Sequence, residues 1–206
     1  MRPVVGALCL IGLGLVGARA SQWQPADQSR ASHRPVTRPD DGNRLYLDSA
    51  SSTRESAIEG TPTAVRSLLN VKQQMRYGDY VWNDRNVPRG TVWIRIDLKS
   101  QLLSVFRGGD EIGTAVILYG ATEKETPTGV FPILAKMSRH RSSSYDAEMP
   151  YTLRLTNDGI SIHASDVRWG LATHGCIGVP LAFAEKLFDQ ASRGDKVLIV
   201  AGQQSA

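Results

Sequence analysis

Val92-Trp93-Ile94-Arg95-Ile96-Asp97 is the stretch whose reading decides the fold. Val92, Ile94 and Ile96 alternate with Trp93, Arg95 and Asp97, the period of two that a strand shows when one face is buried. The pattern continues outward from it. Lys99-Ser100 reads as a turn, residues 102–106 as a second strand, Gly108-Gly109-Asp110 as a hairpin loop and residues 112–119 as a third strand. Beyond Thr126-Pro127-Thr128-Gly129, residues 130–136 read as one more strand, and 152–155 and 160–163 flank the turn Asn157-Asp158-Gly159. Short strands with regular turn signals predict a mainly β sandwich or barrel. One helix interrupts them: Pro180 opens it, Phe183, Leu187 and Phe188 form its apolar stripe, and Arg193-Gly194 closes it before a last strand at 197–200.

The chain upstream differs in kind. Arg2, an apolar run over residues 4–16 and the small residues of Ala18-Arg19-Ala20 fit a secretory signal over 1–20, so the chain is expected to be exported to the periplasm or cell envelope. The apolar run is shorter than the roughly 20 residues of a spanning helix. Residues 21–60 are rich in Ser, Arg, Asp, Pro and Thr; with little apolar surface to offset ordering entropy, they read as a disordered linker. Residues 61–89 read as a short helix and a connecting segment. Thr61 caps the helix, Pro62 takes its first position, and Val65, Leu68, Leu69, Val71 and Met75 fall at mostly helical spacing up to residue 77. The catalytic domain is expected over 90–202.

The formal net charge is +4, and removing Arg2 and Arg19 with the signal leaves 22 basic and 20 acidic residues. No basic stripe interleaved with aromatics appears, so a nucleic-acid partner is not expected. Of the two cysteines, Cys9 lies in the signal, which leaves Cys176 as the one thiol of the mature chain and excludes an internal disulfide there. A buried inert thiol is the bland alternative to a reactive one, and the neighbours of Cys176 argue for reactivity. It stands in Ala172-Thr173-His174-Gly175-Cys176-Ile177-Gly178-Val179-Pro180, and His163 lies thirteen residues upstream. A thiol attacks as the thiolate, so it needs an imidazole within reach and a small neighbour that admits a carbonyl. A zinc site built from His163, His174 and Cys176 lacks a fourth ligand and a familiar spacing. His33 and His140 read as solvated. Residues 139–150, with Ser142-Ser143-Ser144, read as a mobile flap or a plain surface loop.

At these residues the chain resembles the L,D-transpeptidase family, the YkuD-type catalytic domain. The likeness runs in order through the 92–97 strand, Gln101-Leu102-Leu103, Thr126-Pro127-Thr128-Gly129-Val130-Phe131, Asp158-Gly159-Ile160-Ser161-Ile162-His163, Thr173-His174-Gly175-Cys176-Ile177 and the helix Phe183-Ala184 to Leu187-Phe188. The resemblance implies a mainly β, YkuD-type sandwich with one C-terminal helix behind a disordered N-terminal tether. It implies that Cys176 is the nucleophile and His163 the base. Gly175 and Cys176 would then supply oxyanion N–H groups, His174 would shape that pocket, and a carbonyl of Ala164 or Ser165 would orient the base. Arg168, Trp169, Thr173 and Tyr151 are the expected substrate contacts, with no metal and no cofactor.

The donor implied is a peptidoglycan tetrapeptide stem, cut before its terminal D-alanine. The acceptor implied is an amine on another stem or on an envelope lipoprotein, and carbapenem-type β-lactams are the implied covalent inhibitors. A stem hydrolase on the same scaffold, or a peptidoglycan-binding protein without turnover, are the alternatives. The chain departs from the family pattern at Gly178, where the family usually carries arginine; Arg168 is the candidate replacement.

Overall fold

The computed structural model describes residues 43–56, 60, 62–120, 125–142 and 146–202. The expected signal and most of the expected linker lie outside these residues. In chain order the elements are β1 (Arg44–Tyr46), α1 (Ser49–Ser56), β2 (Ser67–Leu69), β3 (Tyr80–Trp82), β4 (Val92–Asp97), β5 (Leu102–Arg107) and β6 (Asp110–Val116). There follow β7 (Gly129–Pro132), β8 (Ala135–Met137), β9 (Thr152–Arg154), β10 (Ser161–Ala164), β11 (Ile177–Val179), α2 (Leu181–Gln190) and β12 (Lys196–Val200). The larger sheet runs β1-β2-β6-β5-β4-β12-β7, with β3 paired to β6 off this path, and the smaller runs β11-β10-β9-β8. The mainly β expectation, two sheets with one C-terminal helix, holds.

β4 behaves as its alternation demands. Val92, Ile94 and Ile96 enter the main core, which also takes Leu103 and Val105 from β5, Ile162 and Ile177 from the smaller sheet, and Phe183 and Leu187 from α2. Trp93 points to the other face, where it stacks on Phe106 at 4.2 Å and 9° and joins Val65 in a second, smaller core. β12 closes the sheet by pairing parallel with β4 and antiparallel with β7. The strand expected over 130–136 is two strands. β7 pairs with β12 and β8 pairs with β9, so the chain changes sheets at Ile133-Leu134. Ile133 is buried at that corner, and an apolar pattern continues across the change without a break.

The helix expected at the head of 61–89 is not formed; residues 62–89 carry β2 and β3. Val65, Ser67 and Leu69 are buried and Arg66 is exposed, so the period is two rather than 3.6. The β6 edge supplies what this segment needs. Ser67 Oγ donates to Asp110 (2.7 Å), Arg66 pairs with the same carboxylate (2.5 Å), and the Leu69 N–H donates to Glu111 Oε2 (2.8 Å). A lone helix of this length gains little in water, whereas an open strand edge satisfies the backbone at once.

Part of the expected linker is also ordered: β1 and α1 lie in it. Arg44 is the reason. Its guanidinium is buried and donates to Ser67 Oγ (3.1 Å) and to the carbonyls of Glu111 (2.6 Å) and Asn83 (2.7 Å). Five fixed N–H donors allow one side chain to tie three segments together.

α2 buries Phe183, Ala184 and Leu187 and packs on β10. Pro180 stands at its N-cap, as Pro180 was expected to open it. At the other end Lys136 Nζ donates to the carbonyls of Phe188 and Ala191 (2.5 Å each), placing a cation where the helix dipole is negative. Phe183 meets Trp82 edge-on at 5.5 Å and Tyr80 at 5.8 Å, so it joins α2 to the β3 edge of the larger sheet. Phe183→Ala is therefore expected to lower unfolding free energy by about 3–5 kcal/mol, read as a fall in urea midpoint at unchanged slope. A loss under about 1 kcal/mol would show that this ring does not hold the layers together.

Candidate active site

β10 and β11 build the site. They pair in parallel with Ile162 opposite Ile177, His163 opposite Gly178 and Ala164 opposite Val179. A parallel return needs a crossover of about a dozen residues, and residues 165–176 supply it. Ile162, Ala164, Ile177 and Val179 are buried in the main core. Successive side chains of a strand alternate faces, so His163 and Gly178 lie on the opposite face. By the same register Cys176, one residue before β11, falls opposite Ser161 and on the His163 side. With strands about 4.8 Å apart and about 3.3 Å of rise per residue, this offset of two leaves the Cα atoms of Cys176 and His163 about 8 Å apart on one face.

His163 is half-buried, and its Nδ1 lies 2.8 Å from the carbonyl oxygen of Ala164. A carbonyl oxygen only accepts, so Nδ1 carries the hydrogen and Nε2 of the neutral ring holds the free lone pair. Burial pushes the imidazole below the ordinary histidine range; the Ala164 carbonyl opposes this in part, and His140 lowers it further. The ring thus rests as a neutral base with its lone pair on the far nitrogen. Cys176 is a partly exposed thiol whose Sγ donates to the Gly159 carbonyl at 3.8 Å, at the turn that leads into β10.

The loop before the thiol is tied at several points. Thr173 bridges Gly120, and its N–H donates to the Tyr119 carbonyl (3.1 Å). Its hydroxyl donates to the Cys176 carbonyl. Gly175 is buried at φ +96°, a backbone geometry that favours glycine. Its carbonyl accepts from Thr126 Oγ1 (3.0 Å), and that oxygen in turn accepts from the Gly120 N–H (2.9 Å).

Of the expected site residues, His163, Thr173, Gly175 and Cys176 are brought together, and His174 stands exposed beside them. Thr173 has its hydroxyl committed to the Cys176 backbone, so it shapes the loop rather than offering that group to substrate. Tyr151 belongs elsewhere. Its hydroxyl donates to Glu185 (3.1 Å) and its ring lies against Phe188 of α2, so it is turned toward α2. The physical reason is register: Ile162 faces Leu153, and Ala164 therefore faces Tyr151 on the core side.

Arg168 pairs with Asp166 (2.6 Å), and Trp169 is 83% exposed. Both border a groove of about 1090 Å³ on the outer face of the larger sheet, which Tyr77, Arg95 and Gln101 also line. A Cβ at Gly178 would lie 2.8 Å from Ser165 Cβ and 3.5 Å from Leu118 Cβ, so packing excludes a side chain there. Among the described residues, no group of three His, Cys, Asp or Glu side chains converges as a metal cluster.

Two residues escaped the sequence reading. Thr126 was visible within Thr-Pro-Thr-Gly, but its hydrogen bond to Gly175 spans 49 positions. His140, expected to be solvated, is half-buried and acts electrostatically on His163. Residues 138–140 and 149–151 continue the pairing of β8 and β9: Tyr151 N–H donates to the Ser138 carbonyl (3.0 Å) and Met149 N–H to the His140 carbonyl (2.8 Å), while Ala164 N–H donates to the Pro150 carbonyl (2.9 Å).

Comparison with known proteins places this geometry. The YkuD model, L,D-transpeptidase catalytic domain, matches residues 91–199, just over half of the chain. An L,D-transpeptidase (Yku) from Stackebrandtia nassauensis is 23% identical with a TM-score of 0.51, over 58% of this chain and 60% of that one. L,D-transpeptidase 1 of Mycobacterium tuberculosis is 22% identical with a TM-score of 0.49, over 53% and 62%. L,D-transpeptidase 3 of the same organism, in complex with a faropenem-derived adduct, is 22% identical with a TM-score of 0.48, over 53% and 60%. The chain thus spans about three fifths of the length of these solved structures. No curated protein matches it. A buried two-sheet core that presents Thr173-His174-Gly175-Cys176 at the end of a parallel crossover, together with a family match across that whole unit, establishes that the chain belongs to the YkuD family of L,D-transpeptidase catalytic domains.

Proposed function

We propose that this protein is a cell-envelope L,D-transpeptidase that transfers peptidoglycan stem peptides through a thioester on Cys176. The observation that supports the reading is the register of β10 and β11, which puts Cys176 on the same face as His163, whose Nδ1 is engaged by the Ala164 carbonyl. Nε2 of His163 accepts the thiol proton, and the sulfur attacks the carbonyl that precedes the terminal D-alanine of a tetrapeptide stem. The S–C bond forms, the tetrahedral oxyanion meets the N–H groups of Gly175 and Cys176, and the C–N bond breaks as the imidazolium protonates the departing amine. An amine on another stem or on an envelope lipoprotein then attacks the thioester. His163 takes its proton, the C–S bond breaks and the thiolate returns. His174 borders the oxyanion pocket, and Arg168 and Trp169 meet the polymer at the outer end of the crossover.

A carbapenem-type β-lactam presents a strained carbonyl to the same sulfur, so ring opening would leave a stable acyl adduct. The sequence over 1–20 supports placing the enzyme in the periplasm or envelope, where such stems are found.

Incubation of the purified full chain with a tetrapeptide stem and an amine acceptor is expected to give, by mass spectrometry, a thioester adduct on wild type, none on Cys176→Ala, and a crosslinked product. An adduct that persists in Cys176→Ala would contradict the nucleophile. Release of tripeptide alone would make the protein a hydrolase.

The pH profile carries its own sign. Only the neutral imidazole accepts a proton, and burial favours the neutral form, so activity falls as pH drops through a pKa lower than the ordinary value. The acidic limb of kcat/KM is expected to have its midpoint below about 6.5. A midpoint above that value would contradict a base held neutral by burial.

A further inference from the structure

Thr126 belongs to a motif that the chemistry so far leaves unused. It is 6% exposed, comes from the segment before β7, and reaches the catalytic loop with one atom. Its Oγ1 accepts from the Gly120 N–H at 2.9 Å and donates to the Gly175 carbonyl at 3.0 Å. Both roles of the hydroxyl are thereby fixed: one lone pair points at the Gly120 N–H and the single hydrogen points at Gly175.

The consequence follows from peptide geometry. A trans peptide is planar, so the C=O and the next N–H point in opposite directions. Pinning the Gly175 oxygen toward Thr126 therefore turns the Cys176 N–H away from Thr126. Gly175 at φ +96° has no Cβ to lock this peptide, and glycine is the residue most free to let it rotate. On the far side of Cys176 the Thr173 hydroxyl holds the next carbonyl. Two threonine hydroxyls thus fix the peptides on either side of the Cys176 Cα, and Thr126 fixes the one that carries the donor.

We infer that Thr126 is a positioning residue for acyl transfer: it orients the Gly175–Cys176 peptide so that the Cys176 N–H is aimed, before substrate arrives, at the oxyanion of the tetrahedral intermediate. This rests on the thioester reading above. Its effect is confined to steps in which a carbonyl becomes an oxyanion, because the thiol and His163 are held by other contacts. Removing an oxyanion donor outright costs about 100- to 1000-fold in rate, so loss of the hydroxyl that aims one is expected to cost about 10- to 100-fold.

Two reactions of the same sulfur separate aim from nucleophilicity. Acylation by imipenem passes through an oxyanion; alkylation by iodoacetamide is a displacement at saturated carbon and does not. In the purified full chain, Thr126→Val keeps the side-chain shape and deletes the hydroxyl, and Thr126→Ser keeps the hydroxyl. Intact-mass kinetics are expected to show Thr126→Val acylating about 10- to 100-fold more slowly with alkylation within about three-fold of wild type, and Thr126→Ser recovering most of the acylation rate. The inference is overturned if Thr126→Val acylates within about two-fold of wild type, if acylation and alkylation fall together, or if Thr126→Ser fails as Thr126→Val does. Wild type that is alkylated on Cys176 but never acylated would instead overturn the acyl-transfer reading itself.

Discussion

The structure depends on the parallel pairing of β10 with β11. Ile162, Ala164, Ile177 and Val179 all enter the core, and their burial leaves one register available. A slip by one residue would turn that set out of the core and turn His163 into it, at a cost of several apolar side chains at about 1.5–3 kcal/mol each. Hydrophobic burial on one face therefore fixes chemistry on the other. His163 and Cys176 occupy the positions that the core residues leave to them.

Around this pair the fold supplies two kinds of support. α2 packs on the core face through Phe183 and Leu187, in the same core as Ile162 and Ile177 of β10 and β11. The crossover is held on its other side by backbone and hydroxyl contacts: Thr173 to Tyr119, Thr126 to Gly175 and Gly178 to Leu118. The last of these places Leu118 and Ser165 where an arginine side chain at 178 would begin. The departure from the family pattern at that position has a local packing cause.

Much of this was legible in the sequence, and the parts that were not share a physical reason. β4, β5 and β6 announce themselves because alternation and turn residues are local signals. α2 does too, through Pro180 and its apolar stripe. Cys176 and His163 were legible as residue types near one another in the chain. β11 was missed because Ile-Gly-Val is three residues long and is a strand only through its partner. β2 reads as helix because Val65, Leu68 and Leu69 fall at i, i+3 and i+4, while Val65 and Leu69 also fit a period of two; the β6 edge decides between them. Arg44, Thr126 and Tyr151 were missed or misplaced for one cause: what each side chain does is set by a group 34 to 67 positions away.

The account stands on the claim that His163 is held as the tautomer with hydrogen on Nδ1, leaving Nε2 as the acceptor on the thiol face. Nitrogen-15 NMR of the ring at neutral pH reads this directly. The account predicts an Nδ1–H signal in slow exchange and an unprotonated Nε2 for His163. A ring protonated on Nε2 would contradict it, because the nitrogen needed as base would then hold the proton it is meant to receive.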